Sequence, residues 1–456
     1  MRQKFTMCPS FSANIPCVQS IVSEYHKKYR QISTILDKNP SILDAFHGDL
    51  VEFGSSGGRE CTFSSEQVLR MFIIKTIECF TWRELIIRVS ESDFLRNFAQ
   101  IGVGKLMTHS FLCAASKNIT AQTYQTINDI LLKYAKHGGK TTSDTLRVDS
   151  TVAESNIHYP TDSSLLWDSY RVGSRLLGRY RDLDMRCFSY RFHVKKIKKL
   201  HTFISTHVGK KSKSTQKQVA KSKKILIERV NELNGKMGEF ISESTGWSLT
   251  DEQAILRNEI VELLIKTKHV VAQATRALSG ETVPAKERIF SIFEEHSELL
   301  MRGKANKPSE FGHMVTIAQT KEKFISYYNV EESSRHDSAM TEIVLNAHKK
   351  AFGVYPAKFT ADKNYYKSMD IVDEWEKKID VFSVGKKGKR SELETVREHS
   401  ESFRDMQKFR AGCEGSISVL KRGFGLKRLL SRSFKSFSAW VGAIIFCHNL
   451  VNLAGP

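Results

Sequence analysis

Strand-like runs are scarce in this chain, and their placement constrains the fold more than any other feature. Residues 145–152, Thr-Leu-Arg-Val-Asp-Ser-Thr-Val, form one such run around Asp149, and residues 356–362, Pro-Ala-Lys-Phe-Thr-Ala-Asp, form another that ends on Asp362. Further strand patterns cover 313–320, 324–330 and 379–384, and helical periodicity fills most of the rest. Helices are expected over 337–352, 365–378, 400–422 and 433–453. Once the long helical stretch at 164–303 is set aside, the order is strand, strand, strand, helix, strand, helix, strand, helix, helix. Periodicity gives this order; it does not say which strands are neighbours.

Before the first strand the pattern is all-helical. Segments 18–36 and 64–80 carry apolar residues at helical spacing, and Thr81 with Glu84 reads as a capping box that opens the next helix. A fourth segment, 120–135, sets Tyr124, Ile127, Leu131 and Tyr134 on one face, and Gly138-Gly139 stops it. Its other face offers Gln122, Gln125, Thr126 and Asn128. Such amide side chains can read base edges in a major groove, although a solvated helix face explains them as simply.

Charge points to the partner. Seventy Lys and Arg against fifty Asp and Glu give a formal charge of +20, which suits a polyanion, nucleic acid first and an anionic membrane surface second. No apolar run is expected to reach the roughly 18 residues of a membrane span, and no signal peptide is legible, so the protein is expected in the cytoplasm. The eight cysteines stand singly at 8, 17, 61, 79, 113, 187, 413 and 447, without metal or redox spacing, and read as reduced thiols. From Arg186 to Lys224 there are thirteen Lys or Arg and no acid, Lys195, Lys196, Lys198, Lys199, Lys210 and Lys211 among them. A run of this kind is usually solvated; in so basic a chain it is read as a phosphate-binding arm. Residues 259–278 and 289–300 carry apolar stripes suited to helix packing, and 209–215 reads as a flexible loop.

A third acid, Glu414, lies in a helical stretch between Arg410 and Lys421. At about 100° per residue these three fall within roughly 40° of one another, so a carboxylate and two cations share a face. That grouping fits a metal ligand flanked by phosphate contacts. Hard carboxylate oxygens favour magnesium, and zinc would want His or Cys clusters that the sequence lacks. Glu154 and His158, at i and i+4, more simply anchor a loop, and Ser150 has no nucleophile elbow around it. Lys386-Lys-Gly-Lys-Arg390 reads equally as solvated surface or DNA contact. After Glu414 no acid follows, while Lys421, Arg422, Lys427, Arg428, Arg432 and Lys435 do.

These residues carry a family resemblance. The chain resembles the bacterial insertion-sequence transposases with an Asp-Asp-Glu triad, in the group with a Tyr-Arg-Glu-Lys carboxy-terminal signature. Val148-Asp-Ser-Thr151 resembles their first motif and Ala361-Asp-Lys-Asn-Tyr365 their second. The third has Arg410, Glu414 and Lys421 at the family's spacing. Gln407 stands where the family has Tyr, and Asn364 where it has Gly; Tyr365 and Tyr366 are candidates to supply the missing ring. Residues 155–167 resemble one subgroup, and the similarity spans about 60–170 and 305–453.

The resemblance implies an RNase H-like α/β catalytic core with an all-α N-terminal domain and a helical insertion after the first core strand. The segments would be a DNA-end-binding domain at 1–140, the first part of the core at 141–163, a basic all-helical insertion at 164–303 and the rest of the core at 304–456. It implies a pair of Mg2+ ions, with Mn2+ as a substitute, bridged by Asp149 and held further by Asp362 and Glu414. Arg410, Lys421 and Lys363 would contact DNA beside them. The partner would be double-stranded DNA, both element terminal repeats and target, bound by a homodimer at the nucleoid, with no membrane. The rival readings are an inactive transposase-derived DNA-binding protein and a nuclease that hydrolyses without joining strands.

Overall fold

A computed structural model describes residues 19–52, 62–183, 190–304, 307–332 and 337–455 of the 456. The described chain is mixed α/β, mostly helical, and forms two compact units: 1–154 with 313–456, and 155–312. These limits differ from the four successive segments read from sequence, because the chain leaves the first unit at the end of one strand and re-enters it in the middle of another.

The first unit opens with seven helices, α1 (Ser20–Lys38), α2 (Pro40–Glu52), α3 (Ser65–Ile77), α4 (Trp82–Glu91), α5 (Asp93–Phe98), α6 (His109–Ser116) and α7 (Ala121–His137). Capping boxes at Ser64/Gln67 and at Thr81/Glu84, the latter expected from sequence, satisfy the first N–H groups of α3 and α4. β1 (Thr145–Ser155) then carries the chain into the second unit.

The second unit holds α8 (Asp162–Leu183), α9 (Val194–His207), α10 (Lys213–Glu243) and α11 (Asp251–Leu278), packed around Leu177, Tyr180, Leu226, Val230, Leu233 and Ile260. Gly173 lets α8 approach α10, since a Cβ there would lie 2.9 Å from Leu233. The unit is not all-helical as expected. After Gly280, which takes a positive φ, and Pro284, no helix longer than one 3₁₀ turn forms among the described residues of this unit. Ile289, Phe290 and Ile292 are buried from irregular backbone, and β2 (Glu298–Lys304) pairs antiparallel with the first half of β3 (Lys307–Thr320).

From His313 onward β3 belongs to the first unit, followed by β4 (Ile325–Val330), α12 (Met340–Phe352), β5 (Lys358–Thr360), α13 (Met369–Glu376), β6 (Val381–Ser383), α14 (Glu392–His399), α15 (Glu401–Gly423), β7 (Arg428–Leu429) and α16 (Phe434–Ala454). Here β4 pairs with β3, β3 neighbours β1, β1 neighbours β5 and β5 neighbours β6, while β7 joins β1. The first and fourth strands of the core order are therefore adjacent, an arrangement that fits an RNase H-like core. Side chains alternate across this sheet. Leu146, Val148, Phe359, Ala361, Phe382 and Val384 pack with Met340, Val344 and Trp375 of α12 and α13. Arg147, Thr360 and Ser383 face the other way, toward α15.

α16 corrects one expectation. It is long and apolar enough, by length and composition, to cross a membrane, yet 83% of that window is buried inside the protein. One part of its surface (Ala443, Phe446, Leu450) joins the core of α1–α7, and another (Phe437, Val441, Ile445) joins the core against β3 and β4. A helix apolar all round is what such a two-sided burial requires.

Candidate active site

Parallel pairing assembles the site. β1 and β5 run in register with Thr145 beside Lys358, Leu146 beside Phe359 and Arg147 beside Thr360, an offset of 213 residues. The same offset separates Asp149 from Asp362. Asp362 keeps an extended backbone (φ −69, ψ 161), so extending the register two residues past its last pair puts Asp362 level with Asp149 along the chain direction. Asp149 shares the face of Arg147, the one covered by α15, and Arg410 of that helix reaches toward it. β5 stops at Thr360 while β1 continues, and farther along β1 is joined by β7, with the Glu154 N–H donating to the Lys427 carbonyl at 3.1 Å.

α15 is fixed on this face by polar contacts. The Arg147 guanidinium, 5% exposed, donates to Gln319 Oε1 on β3, to the Phe409 carbonyl at 3.0 Å and to Ser416 Oγ at 3.0 Å on α15. Gly412 makes room for it: a Cβ there would lie 2.5 Å from Arg147 Nη1. Gln407 Nε2 donates to the Ser383 carbonyl at 2.8 Å and reaches Ser383 Oγ and Thr360 Oγ1, and its Oε1 accepts from Arg410 Nε at 3.3 Å. Arg410 in turn lies 3.9 Å from Asp149 Oδ2.

Cys413 reports that these charges converge. Burial pushes its thiol up to about 12, and the neighbouring Asp149 carboxylate, with Glu414 as a smaller contributor, pushes the same way while Arg147 and Arg410 oppose them. Beneath Asp149, Ser150 Oγ is hydrogen-bonded with Tyr365 Oη at 2.6 Å and donates to Asp337 Oδ1 at 3.1 Å. Ser150 is thus a buried strut. Burial, aided by Asp337 and Asp149, raises the Tyr365 phenol well above its ordinary range.

The triad is only partly gathered. Asp149 and Asp362 lie on or just past neighbouring parallel strands, whereas Glu414 is exposed on α15, and among the described residues no three His, Cys, Asp or Glu side chains are arranged to hold one ion as they sit. The two aspartates fit a hard divalent cation by donor chemistry.

Other residues named from sequence are placed as follows. Lys363 is exposed directly after Asp362, and Lys421 is half-buried near the end of α15. Lys195, Lys196, Lys198 and Lys199 are exposed on α9, where Lys195, Lys198, Lys199 and Thr202 line a hollow of about 380 Å³. Lys210 and Lys211 are exposed in the α9–α10 connection, where α10 takes over the end of the loop expected at 209–215. On α7, Gln122 is exposed and Gln125 donates to Asp129, but Asn128 is fully buried, bonded to the Ile325 carbonyl and to Asn449. Asn128 is a core residue, not a base reader. Tyr365 and Tyr366 do not replace the missing ring: the first bonds inward to Ser150, the second donates to Glu394. Glu154 pairs with Arg428 and His158 with Asp168, so they form no joint site. Cys79, Cys113, Cys413 and Cys447 are free thiols, two of them buried; Cys8, Cys17, Cys61, Cys187 and Arg186 lie outside the described residues.

Two contributors escaped the sequence reading. Arg147 was legible as a charge two places before Asp149 on one strand face, a position that calls for a buried partner; Gly412 gave no signal. No curated protein and no solved structure matches the chain. Residues 298–450, a segment that contains Asp362 and Glu414 but not Asp149, match the family model described as a transposase DDE domain, and this match supports a DDE-type transposase.

Proposed function

We propose that the protein is an insertion-sequence DNA transposase that cuts at its element's ends and joins them to target DNA, with Asp149, Asp362 and Glu414 as catalytic carboxylates. The observation that supports this reading is the parallel pairing of β1, which carries Asp149, with β5, which Asp362 follows, together with a matched transposase segment that contains Asp362 and Glu414. A pair of divalent ions, magnesium or manganese, would stabilise the attacking and leaving oxygens of an in-line displacement.

Asp149 would hold such ions from within β1 and Asp362 from just past β5, and Glu414 would close the set from α15. In the first step water attacks the phosphorus at the element end, the bond to the 3′ oxygen breaks, and a 3′ hydroxyl is released. That hydroxyl then attacks a target phosphodiester and displaces a second 3′ oxygen. Arg410, held by Gln407 and facing Asp149, would grip a backbone phosphate, with Lys363 and Lys421 as further point charges. The helical region 1–140, including Gln122 and Gln125, would recognise terminal repeats. The basic helices of 164–303 would hold flanking duplex, and residues 141–163 and 304–456 would supply the core. Joining two ends calls for a homodimer on DNA, acting at the nucleoid in the cytoplasm.

The test is cleavage of duplex DNA taken from the gene's flanks, with and without Mg2+. Asp149→Ala, Asp362→Ala and Glu414→Ala should each abolish cutting and leave DNA binding nearly intact. A variant that cuts at the parental rate removes that residue from the site. The rival, a binding protein that has lost chemistry, draws on the exposed position of Glu414; it predicts binding without metal-dependent cutting by the parent chain. A plain nuclease would cut without linking 3′ ends to a target plasmid.

A further inference from the structure

The basic run Lys386-Lys-Gly-Lys-Arg390 is the motif that the catalytic reading leaves unused. β5 and β6 are parallel with Lys358 beside Val381 and Thr360 beside Ser383, an offset of 23. Extended two residues past the strand ends, the same offset brings Gly385 level with Asp362, as the β1–β5 register brings Asp362 level with Asp149. The loop from β6 to α14 therefore leaves the sheet at the carboxylate end, one strand away from Asp362.

The outer cations of this loop are spent on holding it. Lys386 Nζ lies 3.0 Å from the Glu394 carboxylate, whose side chain is 4% exposed and which also accepts from Ser391 N–H and Tyr366 Oη. The Lys386 N–H and Arg390 Nε bind Glu398 at 2.8 and 2.7 Å, and the Glu398 carboxylate lies against Gly385. Gly388, at φ +82, turns the tip, a conformation that favours glycine. The inner cations, Lys387 and Lys389, are exposed and make no ion pair or hydrogen bond among the described residues. Two like charges are thus presented on an anchored turn, so little backbone entropy remains to be lost on binding.

We propose that Lys387 and Lys389 clamp the phosphate backbone of duplex DNA at the carboxylate end of the sheet. The inference rests on the transposase reading for the choice of DNA as the anion. It assigns to this loop two phosphate contacts, made without regard to base sequence.

The experiment compares the full-length parent with Lys387→Ala/Lys389→Ala in binding a fluorescein-labelled duplex from the gene's flank, titrated from about 50 to 200 mM salt. Each lost phosphate contact lowers the slope of log K against log salt by about 0.9, so the double variant should be shallower by about 2. Its thermal unfolding midpoint should match the parent's, because the anchoring residues remain. A control, Lys377→Ala/Lys378→Ala, removes the same charge before β6, at the opposite end of the strands, and should leave the slope unchanged. An unchanged slope in the loop variant overturns the clamp, as does an equal change in both variants, which would mark a net-charge effect. Loss of affinity for polyglutamate rather than DNA would overturn it in favour of an acidic protein partner. Metal-dependent cleavage by the parent is scored separately, so failure of the clamp and failure of the transposase reading are distinguishable.

Discussion

Arg147 and Gly412 set the geometry of the site at the scale of single residues. A buried guanidinium is tolerable only when its donors are satisfied, and here β3 and α15 share that task. Gly412→Ala tests it. The substitution gains about 1 kcal/mol of helix propensity, but its Cβ meets a guanidinium that cannot move without losing charged hydrogen bonds worth about 1.5–3 kcal/mol each. The loss should win, with urea denaturation showing a protein destabilised by about 1–3 kcal/mol. A variant more stable than the parent would show that Arg147 does not brace α15. Gln407 illustrates the same scale: a departure from the family motif in sequence, it forms in the structure the clasp between β6 and Arg410.

α16 is the element on which two cores depend. Gly442 lies where the helix passes both Tyr124 of α7 and Tyr328 of β4, and a Cβ there would come within 2.6 Å of each. Gly442→Ala should therefore destabilise by about 1–3 kcal/mol through overpacking, and calorimetry should show α1–α7 and the sheet melting together. Separate transitions, or an unchanged midpoint, would contradict a shared helix. α7 teaches a related lesson. Its apolar stripe was visible at helical spacing, but Asn128 was assigned to the polar face because nothing local foretells a buried amide pair with Asn449, 321 residues away.

Across the whole molecule, two buried histidines couple stability to pH. Burial lowers His348 and His448 to about 4, with Lys136 and Lys323 respectively adding to the effect. His348 donates from Nε2 to the Ser143 carbonyl, and its buried Nδ1 has no hydrogen-bond partner among the described residues. In the unfolded chain these groups titrate near 6.5, so between 6.5 and about 4 the unfolded state binds more protons. Stability is full above that window and falls as pH drops through it. Urea titrations should show the decline beginning near 6.5, ahead of carboxylate protonation, and His348→Gln/His448→Gln should flatten it. If the double variant keeps the parent's slope, other groups are responsible.

The order of the main core elements, short of β2, α14 and β7, the helical N-terminal region, the charge and the three acids follow from periodicity, composition and motif spacing, which are local properties. That the first and fourth core strands are neighbours was implied only by the resemblance, and the pairing of β1 with β5 supplied the register. Tertiary structure alone decided that α16 is buried on two sides, that Ile289 and Ile292 pack from irregular backbone, and that Gln407 and Gly412 seat α15. Each of these depends on partners more than 20 residues away in sequence or on space left by another element. Side-chain pattern reports what a segment can bury; what it is buried against is fixed only when the chain has closed.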